Sequence, residues 1–387
     1  MSAKPPSSST QAPKLGSGIP FSRQQKIDWL RLIRSENVGP RTFYDLIDNF
    51  QTASNAMAAL PELAKRGGRR SRIKVCSLED AETELQTLEQ RGGSMICRGE
   101  PAYPATLRSI DDAPPILSVM GNPDILCEPQ VAFVGARNAS LAGIKFTGHL
   151  AEEVAAAGYA ITSGLARGID TAAHKAGLET GTVAVFAGGL NVTYPPENGP
   201  LVEAIIEKGG AIIAEMPLAW QPRAQDFPRR NRIVAGLAHG LVVIEAARRS
   251  GSLISARLAN EYGRTVFAVP GSPLDPRSEG TNLLIQQGAT LITSAQDILD
   301  AIAPSMGEEF QGSYSLLEDE SDGFEAKAEP QQSDRERFIS ALDHTPMDLD
   351  ELMRFAQLDP ATTHIILIEL QLAGRIERHS GNKVSLI

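Results

Sequence analysis

With 387 residues, 42% of them hydrophobic and 22% charged, the chain has the composition of a soluble globular protein large enough for two or three domains. No apolar run approaches the ~20 residues of a membrane-spanning helix, and the opening MSAKPPSSSTQAPKLGSG lacks a secretory apolar core, so membrane and export classes are set aside and a cytoplasmic location is expected. The net charge of −10 is unevenly placed: residues 304–334 hold nine acids and one lysine, which leaves the remainder nearly neutral and its local basic clusters unopposed.

In chain order, residues 1–19 are polar and rich in Pro and Ser, and read as a disordered tail. Residues 20–100 read as a small helical domain. Trp29, Leu30, Leu32 and Ile33 recur at helical spacing, an NVGP turn follows, and Phe43, Leu46, Ile47 and Phe50 repeat the pattern. Helix, Val-Gly turn, helix fits a SAM or helix-hairpin-helix-like module whose turn amides hold DNA phosphate; it equally fits plain helical packing, and both readings stand. KRGGRRSRIK (65–74) adds six basic residues. The cysteines Cys76, Cys97 and Cys127 fit neither a disulfide framework nor zinc spacing.

From about 101 to 303 the pattern becomes α/β. The runs QVAFVG, YAITSG, TVAVFAGG, AIIAEM, GLVVIEA, TVFAVPG and TLIT alternate with amphipathic helical stretches, which predicts a doubly wound, mainly parallel Rossmann-like sheet. Ligands of such sheets bind beyond the carboxyl ends of the strands. After the first run come Gly135, Arg137 and Ser140, a glycine turn leading into a helix, suited to an anion. After the second come Ser163, Gly164 and Gly168, then Asp170 and His174 four apart on one helix face. These two read either as an acid–base pair or, the favoured reading, as a helix-start carboxylate with a packed histidine. Ser250, Gly251 and Ser252 open a third helix of this kind. The G-x-G-x-x-G fingerprint is missing, so no dinucleotide and no other cofactor or metal is expected. FPRRNRIVAGL (227–237) concentrates cations: Arg223, Arg229, Arg230 and Arg232, with Asn231 between them and Phe227-Pro228 ahead, read as a stiffened turn before a buried strand. Cations beside an aromatic ring are what sequence-tolerant single-strand binding needs.

Residues 304–334 read as an acidic flexible linker, and 335–387 as a winged-helix domain of three helices and two strands around a Ser-Gly-Asn turn. Six basic against eight acidic residues in this unit, with no Lys or Arg in its third helix before Arg375, predict protein contact rather than DNA reading.

Taken in order, VAFVGARNAS, ITSGLARGIDTAAHKAGL, GGLNVTYPPEN, FPRRNRIVAGL, VVIEAARRSGSLISARLANEYGRTVFAVPG and SEGTNLLIQQGA resemble the DprA/Smf family of DNA-processing proteins, over about 100–303. The resemblance implies a single-stranded DNA-binding protein rather than an enzyme, acting in natural transformation, protecting incoming strands, loading the RecA recombinase and forming a homodimer, with single-strand-binding protein as a further candidate partner. It places Arg137 on a backbone phosphate. Relatives often carry a lysine shortly before the Phe-Pro; here the nearest basic residue is Arg223. The alternative is a Rossmann-like phosphoribohydrolase, whose PGGxGTxxE signature FAGGLNVTYPPEN matches only in its glycine pair.

Overall fold

The computed structural model of the chain describes residues 18–303, 330–379 and 381–387. Residues 1–17 of the expected tail and 304–329 of the expected acidic linker lie outside the described residues. Two compact units are formed: one holds 91–113 and 117–303, the other 21–90 with the described residues from 330 onward. Among the described residues no helix is long and apolar enough to cross a membrane.

The chain begins with α1 (Arg23–Arg34), α2 (Pro40–Phe50), α3 (Ala53–Arg66) and α4 (Leu78–Gln90). Ser22 and Gln25 close the start of α1 with a capping box, and Pro40 opens α2 at the first helical position, where its missing N–H costs nothing. The helical spacing turns Trp29, Leu30, Phe43 and Leu46 inward, and the Trp29 and Phe43 rings meet with centroids 4.8 Å apart.

The sheet unit follows with β1 (Ser94–Cys97), α5 (Ala105–Arg108), β2 (Ile116–Gly121), β3 (Gln130–Val134), α6 (Leu141–Ala156), β4 (Ala160–Ser163), α7 (Ile169–Ala176), β5 (Thr182–Val185), α8 (Gly199–Glu207), β6 (Ala211–Ala214), α9 (Asp226–Leu237), β7 (Gly240–Val243), α10 (Ser252–Glu261), β8 (Thr265–Ala268), α11 (Glu279–Gln286), β9 (Thr290–Leu291) and α12 (Ala295–Ile302). The strand order is β1-β2-β6-β5-β4-β3-β7-β8-β9. From β6 to β9 neighbours run parallel, and β2 joins β6 antiparallel. Each expected apolar run forms a strand. They read as continuous apolar stretches because both faces are covered: in β3, Val131 and Phe133 enter one apolar cluster while Ala132 and Val134 enter the other. The chain leaves β3 for β4 on one side and returns to β7 on the other, which makes the carboxyl end of β3 the topological switch point.

The chain closes with α13 (Gln332–Ala341), β10 (Met347–Asp348), α14 (Leu349–Ala356), α15 (Pro360–Leu372), β11 (Ile376–His379) and β12 (Lys383–Leu386), the strands antiparallel in the order β10-β12-β11. This is the expected winged-helix plan, with the two-residue β10 as a third strand beyond the two expected. Its third helix, α15, packs on α3 and α2. Asn37 Nδ2 donates to the Leu372 carbonyl at 3.0 Å, Arg41 Nη1 to the His379 carbonyl at 3.0 Å, and Arg378 pairs with Asp45 at 2.5 Å. The Val-Gly turn thus meets the winged helix. Within the basic run 65–74, Arg66 pairs with Glu62 and Arg69 with Glu36, while Arg70 and Arg72 are exposed.

Candidate nucleic-acid interface

The loops after β3, β4 and β5 and the start of α9 converge on a cleft of about 320 Å³ beside the switch point. Arg137, Asn138, Gly164, Arg167, Tyr194, Phe227 and Arg230 line it. Phe227 is half-buried and belongs to neither apolar cluster of the sheet unit. Its ring meets the exposed Tyr194 edge-on, with centroids 5.4 Å apart and planes at 61°, and the Arg137 guanidinium carbon lies 5.2 Å from its centroid. Two aromatic rings and an exposed cation therefore share one concave surface.

Beneath them lies Arg230. It is buried, and its Nη1 donates to the Gly164 carbonyl and to the Val185 carbonyl at 2.6 Å. A Cβ at residue 164 would meet this guanidinium, so the glycine leaves it room to reach both carbonyls. Burial pulls the Arg230 guanidinium down to about 10, with Asp170 opposing, so the group stays charged at neutral pH and contributes positive potential to the cleft floor. Asp170 Oδ2 accepts the Gly164 and Ala166 N–H groups at 3.2 Å each. Burial pushes its carboxyl up, against the Arg230 charge and these donors. His174 turns instead to Thr182, with Nδ1 2.7 Å from Oγ1; burial holds its imidazole at about 3 and therefore neutral. The favoured packing reading of Asp170 and His174 matches this geometry.

Several expectations change. Residues 226–237 form α9, not a stiffened turn: Pro228 sits in the first turn of the helix, where its missing N–H is tolerated. Arg232 is buried and pairs with Glu215 at 2.5 Å, with Asp112 3.8 Å away, so it ties α9 to its own unit rather than to a ligand. Glu245 caps the turn after β3. Its carboxylate accepts from the Ser140 backbone N–H at 2.8 Å and from the Ser140 hydroxyl at 2.5 Å, placing an internal anion where the turn after β3 was expected to take a phosphate. Ser163 is buried and its hydroxyl donates to the Phe133 carbonyl at 2.6 Å. The loop bracketed by Gly164 and Gly168 already gives two of its amides to Asp170. Gly168 has a φ of +74° and passes so close to the Ala136 carbonyl that a side chain has no room. Gly135 is half-buried against Ile169. Asn231 Nδ2 donates to the Gly251 carbonyl at 3.2 Å, and the Ser250 and Ser252 hydroxyls bond each other at 2.7 Å, leaving Gly251 exposed.

Of the expected cations, Arg137, Arg223 and Arg229 are exposed. Arg248 and Arg249, on the loop that Asn231 holds, are exposed as well and were not singled out from the sequence. Nor were Tyr194, Arg167 and Trp220. An aromatic after a glycine pair at a strand end, as in GGLNVTYPP, is the signal by which Tyr194 could have been found.

This geometry defines a class: a Rossmann-like protein with a cationic, aromatic cleft at its switch point. Three family descriptions match the chain in order: a DprA-like N-terminal HHH domain over 23–87, DNA recombination-mediator protein A over 94–303, and a DprA winged helix domain over 323–382. The chain belongs to the DprA/Smf family of DNA-processing proteins. It is 45% identical to Protein Smf of Escherichia coli over 221 residues, 57% of this chain and 59% of that protein. It is 47% identical to DNA processing protein DprA of Streptococcus pneumoniae over 199 residues, 51% of this chain and 70% of that protein. The X-ray structure of the S. pneumoniae protein matches 72% of this chain and 98% of its own, with a TM-score of 0.60 and 35% identity. A structure of DNA processing protein A from Helicobacter pylori, described for its single-stranded DNA binding mode, matches 55% of this chain and 96% of its own, with a TM-score of 0.50 and 29% identity.

Proposed function

We propose that this chain binds single-stranded DNA without sequence preference along the carboxyl rim of its sheet, with no chemical step of its own. The observation that carries the reading is the half-buried Phe227 held between Tyr194 and Arg137 over the charged Arg230. A base stacks on the aromatic surface, worth ~1–3 kcal/mol per base, while Arg137, Arg229 and Arg223 take flanking phosphates. Gly251 and the adjacent Arg248 and Arg249, on the exposed loop before α10, extend the path. Following the family, the bound strand is incoming DNA in natural transformation, handed to RecA by a homodimer in the cytoplasm, with single-strand-binding protein as a further partner. Binding of labelled oligothymidylate, read by anisotropy and compared with duplex, tests the binding step. RecA ATPase on strands precoated with single-strand-binding protein tests the loading step: the chain should shorten the lag, and an unchanged lag excludes loading.

A further inference from the structure

We infer that Trp220 and Arg223 form a second nucleobase platform beside the Phe227 cleft; this rests on the single-strand reading above. The loop before α9 is built around them. The Trp220 indole N–H donates to Asp226 Oδ2 at 2.9 Å, and the Arg223 backbone N–H donates to the same oxygen at 2.8 Å. One buried carboxylate thus fixes the loop at two points, immediately before Phe227, while presenting almost no anionic surface itself. The backbone of Trp220 docks on the glycine pair, with its carbonyl accepting the Gly189 N–H at 3.0 Å.

The indole is half-buried, and the exposed Arg223 guanidinium lies over it, 4.4 Å from the ring centroid. Such a layered pair differs from a core tryptophan such as Trp29, which is fully buried. Its polar edge is satisfied and its orientation fixed, while the covering cation is free to stack on a base or reach a phosphate. A single strand leaving the Phe227 cleft toward the loop meets this platform. Asp226 acts as a positioning residue that holds both partners.

The two tryptophans of the chain, Trp29 and Trp220, make a direct test possible, because acrylamide reaches only the second. Acrylamide quenching of the full chain is measured with and without oligothymidylate, with binding followed in parallel by anisotropy. The platform predicts that bound DNA shields the emission, that W220F abolishes the shielding, and that W220A and R223A each weaken binding about tenfold. Because R223A alters an exposed side chain, it keeps the test valid should W220A disturb the loop. DNA that binds normally with unchanged quenching, and with R223A affinity equal to the parent, overturns the platform and the Arg223 phosphate contact, and leaves the single-strand reading resting on Phe227, Arg137 and Arg229. Absence of any binding overturns the single-strand reading and the platform with it.

Discussion

Replacing Phe227 by alanine separates a binding aromatic from a core one. Its ring contacts are an edge-on pair with Tyr194 at 5.4 Å and a cation–π contact with Arg137 at 5.2 Å. Such contacts contribute about 0.5–1.5 and about 0.5–1 kcal/mol respectively. F227A should therefore cost the fold about 1–2.5 kcal/mol, below the ~3–5 kcal/mol of a core Phe→Ala change. Loss of one stacked base removes ~1–3 kcal/mol of binding, a roughly five- to 150-fold weaker affinity for oligothymidylate. A stacked ring releases no counterions, so the slope of log affinity against log salt should be unchanged in F227A. R137A should flatten that slope by about 0.7, one phosphate contact on a single strand. Melting and salt titration on both variants give the paired readout. A core-sized stability loss in F227A with unaltered affinity, or an unchanged slope in R137A with native melting, would refute the assignment of this cleft to DNA.

Arg232→Met should destabilise the sheet unit by about 3–5 kcal/mol in urea, because it breaks the buried Arg232–Glu215 ion pair, while the salt slope of binding stays at the parent value. His174 has its folded value depressed from 6.5 to about 3, so its contribution to stability is present above pH 6.5 and is lost as pH falls toward 3. Between pH 7 and pH 5 that loss is about 2 kcal/mol, and H174Q should remove it from the urea midpoint difference between those two pH values. Truncation before residue 330 should lower the melting temperature of the front helices, which lose α15, yet leave single-strand affinity within about twofold, since every proposed contact lies in the sheet unit and the removed domain is net acidic.

The sheet was legible because strands covered on both faces read as unbroken Val, Ile and Ala runs. β1 and β2 were not: SMIC and ILSVMG are short runs outside the βα alternation, and β2 enters the sheet antiparallel. The cations of 223–232 were visible as a group, but their fates were not. Side-chain direction on a helix divides them, sending Arg230 and Arg232 inward and leaving Arg229 exposed, and the sequence alone read this stretch as a turn. The helix starts after β3 and β4 look alike in sequence whether their anion is a phosphate or a carboxylate of the same chain. Glu245, more than a hundred residues away, and Asp170 fill that role here. Tyr194 joins Phe227 only through the long loop after β5, a contact that no local pattern encodes.

The central claim is tested most directly by titrating salt against the affinity of the full chain for matched single-stranded and duplex oligonucleotides. The rim of Arg137, Arg229 and Arg223 with a stacking aromatic predicts tighter binding to the single strand at every salt concentration, with a log–log slope of about −2, near −0.7 for each of three phosphate contacts. A residual affinity from stacking should persist at high salt. Equal affinity for the two forms, or a duplex preference, would contradict it.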